Sequence, residues 1–268
     1  MKSITEKLSE LNQILESLGS AVVGFSGGVD SSFLAAAAKR VLGDKVVAVT
    51  ACSSTLPESE RQDTIRIAEE INVKHYLITI NELESPEFAA NTPNRCYFCK
   101  KQRFGVLARW AEEQGLAWVL EGSNADDRHD YRPGMRAVSE MPTVRSPLLE
   151  AGLSKEEIRQ ISREWGLSTW NKSSAACLSS RIAYGLQVTD ERLHQVEAAE
   201  ELLKRLCTGQ VRVRHYGTTA RIEVEPGEFP IIIQPANLVA INHLFAKLGF
   251  TFVTLDLAGY RTGSMNLI

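Results

Sequence analysis

The segment Ala21-Val22-Val23-Gly24-Phe25-Ser26-Gly27-Gly28-Val29-Asp30-Ser31-Ser32 constrains this chain more than any other. It reads as a short buried strand, a glycine turn edged with hydroxyls and an aspartate, and then the start of a helix. A strand feeding a helix through Gly27-Gly28 lets the backbone approach an anion closely. The free N–H groups and the helix dipole then favour phosphate at that point. Ser26, Ser31 and Ser32 add hydroxyl donors. Asp30 is a poor phosphate ligand alone, but it suits a magnesium ion bridging phosphate oxygens. The spacing is neither G-x-x-x-x-G-K-[ST] nor G-x-G-x-x-G, so neither a Walker loop nor a dinucleotide fingerprint fits. The bland alternative is a tight strand-to-helix turn with an aspartate near the helix start.

Around this turn, strands and helices alternate. Apolar residues at helical spacing run from Ile4 to Leu18. After the strand at 21–25 comes a helix to about Leu42, then the β-branched run Val46–Thr50. Leu56 to Ile71 is predicted helical, with Pro57 in its first turn. A third strand follows at His75–Ile80, and residues 81–95 read as a loop delivering Cys96 and Cys99. A helix from about 100 to 114 leads to the strand Ala117–Leu120. The stretch from Glu121 to about Arg145 looks too rich in Gly, Asp, Asn, Arg and Pro for regular structure, which marks it as functional. This alternation predicts an α/β fold on a parallel sheet, with ligands beyond the carboxyl ends of the strands. A helix at 154–165 and a loop at 168–186 end that pattern. Beyond them, a helix at 190–206, strands at 211–216 and 220–224, a helix near 237–248 and a strand at 250–255 form a smaller α+β unit. The expected domains are 1–186 and 187–268.

Composition narrows the function classes. At 268 residues, 44% hydrophobic and 24% charged, the chain has an ordinary globular make-up. A net charge of -3 gives no global attraction to nucleic acid or anionic membrane. No apolar run is long enough to span a bilayer, and the N-terminus lacks signal-peptide features, so a cytoplasmic protein is expected. Five cysteines in this setting suggest metal or redox chemistry where they cluster, not a disulfide framework.

Cys96-Tyr97-Phe98-Cys99 is a C-x-x-C, and Cys177 precedes Leu178-Ser179-Ser180-Arg181. Three thiolates could hold zinc with a fourth ligand, hold an iron–sulfur cluster with one iron left open, or act as a persulfide carrier. Cys52 and Cys207 stand alone and read as structural. In the second unit, Arg212 and Arg214 alternate on a strand and share a face. They suit a phosphomonoester; a sheet face salt-bridged to Glu223 is the competing reading. Glu200 and Glu201 could lend a carboxylate to the same region.

Together, S-G-G-V-D-S, N-R-C-Y-F-C-K, D-Y-R-P-G, W-N-K-x-x-x-x-C-L-S-S-R and V-R-V-R resemble the LarE family of PP-loop ATP pyrophosphatases. The resemblance covers nearly the whole chain. It implies a PP-loop α/β domain and a C-terminal substrate-binding and oligomerisation domain, in a homo-oligomer acting on a small-molecule nucleotide. It also implies ATP and Mg2+ as cofactors, with adenylation of a carboxylate of a pyridinium biscarboxylate mononucleotide, release of pyrophosphate, and displacement of AMP by sulfur. Ser26, Gly27, Gly28, Asp30, Ser31 and Ser32 would hold ATP and its metal, and Arg212 and Arg214 the nucleotide substrate. Asp30, Cys177, Ser180 and Arg181 would be catalytic. One branch of the family sacrifices the sulfur of its own cysteine, at the position of Ala176 here. The shift to Cys177, with Cys96 and Cys99 as companions, favours the branch expected to carry a [4Fe-4S] cluster. Sacrifice of Cys177, a tRNA thiolase and an amide-forming ligase are the alternatives.

Overall fold

A computed structural model describes residues 2–129, 133–173, 176–261 and 263–266. In chain order the strands are β1 (Ala21–Gly24), β2 (Val46–Cys52), β3 (Lys74–Thr79), β4 (Trp118–Leu120), β5 (Val144–Arg145), β6 (Arg212–Tyr216), β7 (Thr219–Glu223) and β8 (Phe252–Leu255). The helices are α1 (Ile4–Leu18), α2 (Val29–Leu42), α3 (Glu58–Ile71), α4 (Pro86–Ala89), α5 (Arg95–Glu113), α6 (Pro133–Ser139), α7 (Pro147–Glu150), α8 (Lys155–Glu164), α9 (Asp190–Leu206), α10 (Phe229–Ile232) and α11 (Pro235–Lys247). They fall into two compact units, Met1–Glu82 with Cys96–Ala175, and Leu83–Arg95 with Ala176–Ile268. The second unit therefore starts at Ala176 rather than near 187, and it takes in the short segment Leu83–Arg95.

The first unit is built on a parallel sheet of order β3-β2-β1-β4-β5. The α/β fold expected from the sequence is present. Central β1 and β2 are buried on both faces, as their Val and Ala runs require, whereas edge strand β3 alternates exposed and half-buried residues. Ala35, Ala36, Ala37 and Ala38 of α2 are all buried, and that helix packs against α1, α3 and α8. Small side chains let it lie close to the sheet. A capping box at Ser3–Glu6 starts α1, and a second at Ser154–Glu157 starts α8.

Two expectations for this unit are corrected. Cys96 and Cys99 do not sit on a loop; α5 begins at Arg95 and carries Cys96 on its first turn and Cys99 at the start of its second. The turn directly before this helix is closed by Arg95 N–H donating to Thr92 O at 2.9 Å. The polar stretch after β4 is also more regular than its composition suggests. It contains a 3-10 turn at Ala125–His129, α6 opening on Pro133, and β5, which pairs parallel with β4. Asp130, Tyr131 and Arg132 of the D-Y-R-P-G motif lie outside the described residues.

The second unit carries a sheet of order β6-β7-β8, with β6 and β7 antiparallel and β7 and β8 parallel. Its core joins Leu203, Val213, Ile222, Ile241 and Phe245. Asn91, in a left-handed conformation at φ 53° and fully buried, ties in the segment before α5. Its side-chain amide donates to Ala183 O at 2.9 Å and Leu186 O at 2.8 Å. Among the described residues, no single helix is long and apolar enough to cross a membrane.

Candidate active site

The turn between β1 and α2 is laced by its own hydroxyls. Ser31 Oγ accepts from Ser26 N at 3.2 Å, lies 3.0 Å from Ser26 Oγ and donates to Gly28 O at 3.3 Å. Gly27 has φ +64°, and a Cβ there would meet Thr64 Cγ2 at 3.2 Å, so this position calls for glycine. Gly28 is the N-cap of α2, and no side chain caps that helix. The N–H groups of its first turn thus lack the side-chain acceptor found at α1 and α8, which leaves them for an anion.

This turn forms one wall of a cavity of about 350 Å³. Ser26, Gly28, Asp30 and Ser31 line it on the α2 side, and Val49 and Ala51 line it from β2. The opposite wall is α5, through Lys100, Arg103, Phe104 and Leu107. Those four residues follow a helical i, i+3, i+4, i+7 rhythm, a signal that sequence reading missed because it treated α5 only as the element after the cysteines. Glu121, Gly122, Ser123 and Asp127 close the cavity beyond β4. Gly122 packs on the turn, since a Cβ there would stand 3.3 Å from Ser31 N.

Ion pairs cross this region. Lys100 Nζ donates to Glu121 Oε1, and Glu121 also accepts from Ser123 N at 2.9 Å, Ser123 Oγ at 2.8 Å and Ser146 Oγ at 3.1 Å. Burial alone would raise the Glu121 carboxyl; the Lys100 charge and these hydrogen bonds hold it below its ordinary value. Arg103 Nε donates to buried Glu82 Oε1 at 2.6 Å. Lys155 Nζ donates to Asp30 Oδ2, while Asn124 Nδ2 donates to Asp30 Oδ1 at 3.3 Å. Asp30, at the cavity end of α2, is a carboxylate oxygen donor of the kind a hard cation takes, while Glu121 is already held by Lys100, Ser123 and Ser146.

In the second unit, Cys177 leads into a 3-10 turn at Leu178–Arg181. Its Sγ lies 3.0 Å from Ser179 Oγ, and its carbonyl accepts from Ser180 Oγ at 2.7 Å and Arg181 Nη1 at 2.9 Å. Arg181 also pairs with both oxygens of Glu200 on α9, through Nε at 2.9 Å and Nη2 at 3.1 Å. Glu200 is buried, not solvated like its neighbour Glu201. Arg212 and Arg214 share a face of β6, as expected, but that face is buried. Arg214 is held by Glu223, whereas Arg212 donates to Val211 O at 2.7 Å and lies over the Tyr260 ring at 5.3 Å. Burial, and then the Arg181 charge, push the Arg212 guanidinium below its ordinary value. Arg181, Arg212 and Arg214 thus share one buried region with Glu200 and Glu223.

Residues 2–101 match the NAD synthase family model, which covers the motif turn and the start of α5. The chain is 42% identical to an uncharacterised protein of Synechocystis sp., over 99% of this chain and 98% of that protein. It is 37% identical to the pyridinium-3,5-bisthiocarboxylic acid mononucleotide synthase of Lactiplantibacillus plantarum, over 99% of this chain and 96% of the relative. The chain belongs to the LarE family. It is an ATP-dependent sulfurtransferase with a PP-loop domain. The tRNA-specific 2-thiouridylase MnmA of Geobacter metallireducens is more distant, at 27% identity over 74% of this chain and 64% of its own length.

Within this LarE protein, Ser26, Gly28, Asp30 and Ser31 meet on the cavity wall as anticipated. Gly27 shapes the turn from behind, and Ser32 is fully buried in α2 with its hydroxyl unpartnered. Ser180, Arg181, Arg212 and Arg214 come together in the second unit, where Arg214 Nη1 reaches Ser180 O at 3.4 Å. Cys96 and Cys99 belong to the first unit and Cys177 to the second, and none of the three is in a disulfide. Three thiolates are a donor set suited to an iron–sulfur cluster, although no group of three metal-ligating side chains is assembled among the described residues. Cys207 is buried, and Cys52 half-buried at the end of β2.

Proposed function

We propose that this protein converts a carboxylate of a pyridinium-3,5-biscarboxylic acid mononucleotide to a thiocarboxylate. The carrying observation is the cavity where the uncapped α2 N-terminus and Asp30 face α5. A carboxylate oxygen attacks the α-phosphorus of ATP and pyrophosphate leaves, giving an acyl adenylate. A sulfur nucleophile then attacks the acyl carbon and AMP departs with the carboxylate oxygen. The first step turns a poor leaving group into a good one. The α2 N–H groups, with Asp30 holding Mg2+, would stabilise charge on the departing pyrophosphate. Arg212 and Arg214 would receive the phosphomonoester of the substrate, and Ser180 and Arg181 would set the turn that carries Cys177.

For the sulfur, the reading favoured by the residues is a [4Fe-4S] cluster on Cys96, Cys99 and Cys177. Those three cysteines would hold the cluster, and the chemistry it would supply there is a replaceable sulfide for the acyl adenylate. This rests on the three thiols and on Ala176 standing where a sacrificial cysteine would be. A cytoplasmic homo-oligomer that uses no nucleic acid completes the proposal, supported by the modest net charge of -3. The test is ATP–pyrophosphate exchange with the mononucleotide, followed by mass analysis of the product. Exchange dependent on the mononucleotide and a mass gain for oxygen replaced by sulfur are expected; exchange driven by tRNA or ammonia instead would overturn the reading.

A further inference from the structure

In the second unit, two carboxylates converge on Gly209. This glycine lies between α9 and β6, while Glu225 and Glu228 flank the 3-10 turn that follows β7. Arg212 of β6 stands opposite Glu223 of β7, so both segments lie at the open end of that hairpin. Glu228 is only 8% exposed. Its Oε1 accepts from Thr208 N at 2.6 Å, Thr208 Oγ1 at 3.0 Å and Gly209 N at 2.9 Å. Its Oε2 is buried and has no hydrogen-bond partner among the described residues. Burial alone would raise this carboxyl; the Gly209 and Thr208 N–H groups hold it below its ordinary value, so it is charged. A Cβ at Gly209 would stand 3.1 Å from that Oε2, 3.1 Å from Glu225 Oε2 and 2.9 Å from Glu225 Cδ. Glycine thus leaves open the space where the two carboxylates meet. Neither carboxylate is in an ion pair among the described residues.

We propose that Glu225 and Glu228 bind a hard divalent cation of the calcium class, which clips the loop before β6 to the turn after β7. A buried, charged oxygen without a donor is costly, and a second carboxylate beside it adds repulsion. A cation answers both. The donors available are oxygens. Burial, and then the Glu228 charge, push the neighbouring Cys207 thiol up to about 11, so it stays protonated and offers no ligand to a soft metal. Calcium takes six to eight oxygens at about 2.3–2.6 Å in a flexible shell, and water can complete what two carboxylates begin. Glu225 is exposed, which opens the site to solvent. The clip would stiffen the hairpin that carries Arg212, Arg214 and Glu223, whatever ligand those arginines take.

The test is calorimetric titration of the metal-stripped, full-length protein with Ca2+ alone, beside thermal unfolding with and without it. The parent should bind an ion with a dissociation constant of about 0.1–1 mM, the range of weak oxygen-donor sites. Its unfolding midpoint should rise by about 3 °C at calcium tenfold above that constant. Glu225→Gln alters an exposed side chain and should fold like the parent, yet bind calcium about tenfold more weakly. Gly209→Ala should do the same, because its Cβ meets first the flexible end of Glu225. In both variants the midpoint should stop responding to calcium. Asp30→Ala should keep the binding and the response, since Asp30 belongs to the first unit. A parent that binds no calcium, or Glu225→Gln and Gly209→Ala proteins that bind it like the parent, overturns the proposal. So does loss confined to Asp30→Ala, which would put the ion in the nucleotide cavity. A midpoint indifferent to calcium but raised by Glu225→Gln would overturn it as well, in favour of a proton shared by the two carboxyls.

Discussion

Arg214 lies along Glu223 so that a single carboxylate oxygen, Oε2, accepts from its Nε at 2.9 Å and its Nη2 at 2.7 Å. Ser264 Oγ donates to Glu223 at 3.1 Å, and Arg221 Nη2 reaches the second oxygen at 2.8 Å. Of the two arginines on this face, Arg214 is the one that the Glu223 pairing claims. Arg212 lies beside Arg181 and over the Tyr260 ring.

Removing Glu223 should therefore be costly. Glu223→Ala strands a buried guanidinium, and breaking such a pair costs about 3–5 kcal/mol. Urea denaturation should show that loss. A variant within about 1 kcal/mol of the parent would mean that Arg214 finds water or another partner on this face.

Arg212→Ala should weaken binding of the mononucleotide by about 1.5–3 kcal/mol, the range for a charge-assisted contact, with little effect on ATP. Calorimetric titration of each ligand separates the two. Equal losses for both ligands would remove the assignment of Arg212 to the substrate phosphate.

Much of this arrangement was legible in the sequence. The Ala21–Ser32 segment gave away β1, the turn and α2, because glycines, hydroxyls and a helix start are all local signals. The alternation of Arg212 and Arg214 likewise follows from the period of a strand. What stayed hidden depends on distance along the chain. Nothing near Lys155 announces Asp30 as its partner, and nothing near Glu200 announces Arg181. Reading 81–95 as a loop delayed the helix that in fact begins at Arg95, and the polar residues after Glu121 concealed α6 and β5.

Asp30→Ala should abolish ATP–pyrophosphate exchange while leaving the fold intact, because Asp30 faces the cavity and not the core. Exchange at the parental rate in a folded variant would sink the metal role of this residue.

Stability should fall on acidification. His215 is buried, its Nδ1 accepting from Gly217 N at 3.2 Å and its Nε2 facing Gln195 Oε1 at 2.8 Å, which fixes a neutral ring. Burial, and then the Arg192 charge, push it down to about 4. Burial likewise lowers His75 to about 4, where its ring meets Thr50 Oγ1 at 2.8 Å. Both histidines titrate near 6.5 when unfolded, so between about 6.5 and 4 the unfolded chain binds more protons. Their contribution is complete above about pH 6.5 and shrinks as the pH drops toward 4. Urea midpoints taken across that window should decline, and a flat profile would contradict the neutral assignments.

Serine at Cys96, Cys99 or Cys177 should remove iron and multiple turnover together, while adenylation survives on the separate α2 turn. Anaerobic iron and sulfide analysis beside pyrophosphate release reads both. Dehydroalanine at position 177 after one turnover, in protein without iron, would replace the cluster with a sacrificed cysteine. Visible absorption absent in a metal-bearing protein would indicate zinc.

The segment Leu83–Arg95 has a consequence for how the molecule can be divided. Asn91 donates to the carbonyls of Ala183 and Leu186, Arg95 Nη1 donates to Ser179 O at 2.8 Å, and Val188 N donates to Ala89 O at 2.9 Å. The chain thus enters its second unit, returns, and enters it again. A fragment ending before Ala176 keeps this strap but none of those partners, leaving a buried asparagine and arginine in search of acceptors. The halves are not exchangeable cassettes: the nucleotide-binding part cannot be inherited, transplanted or expressed alone without carrying a torn piece of its neighbour.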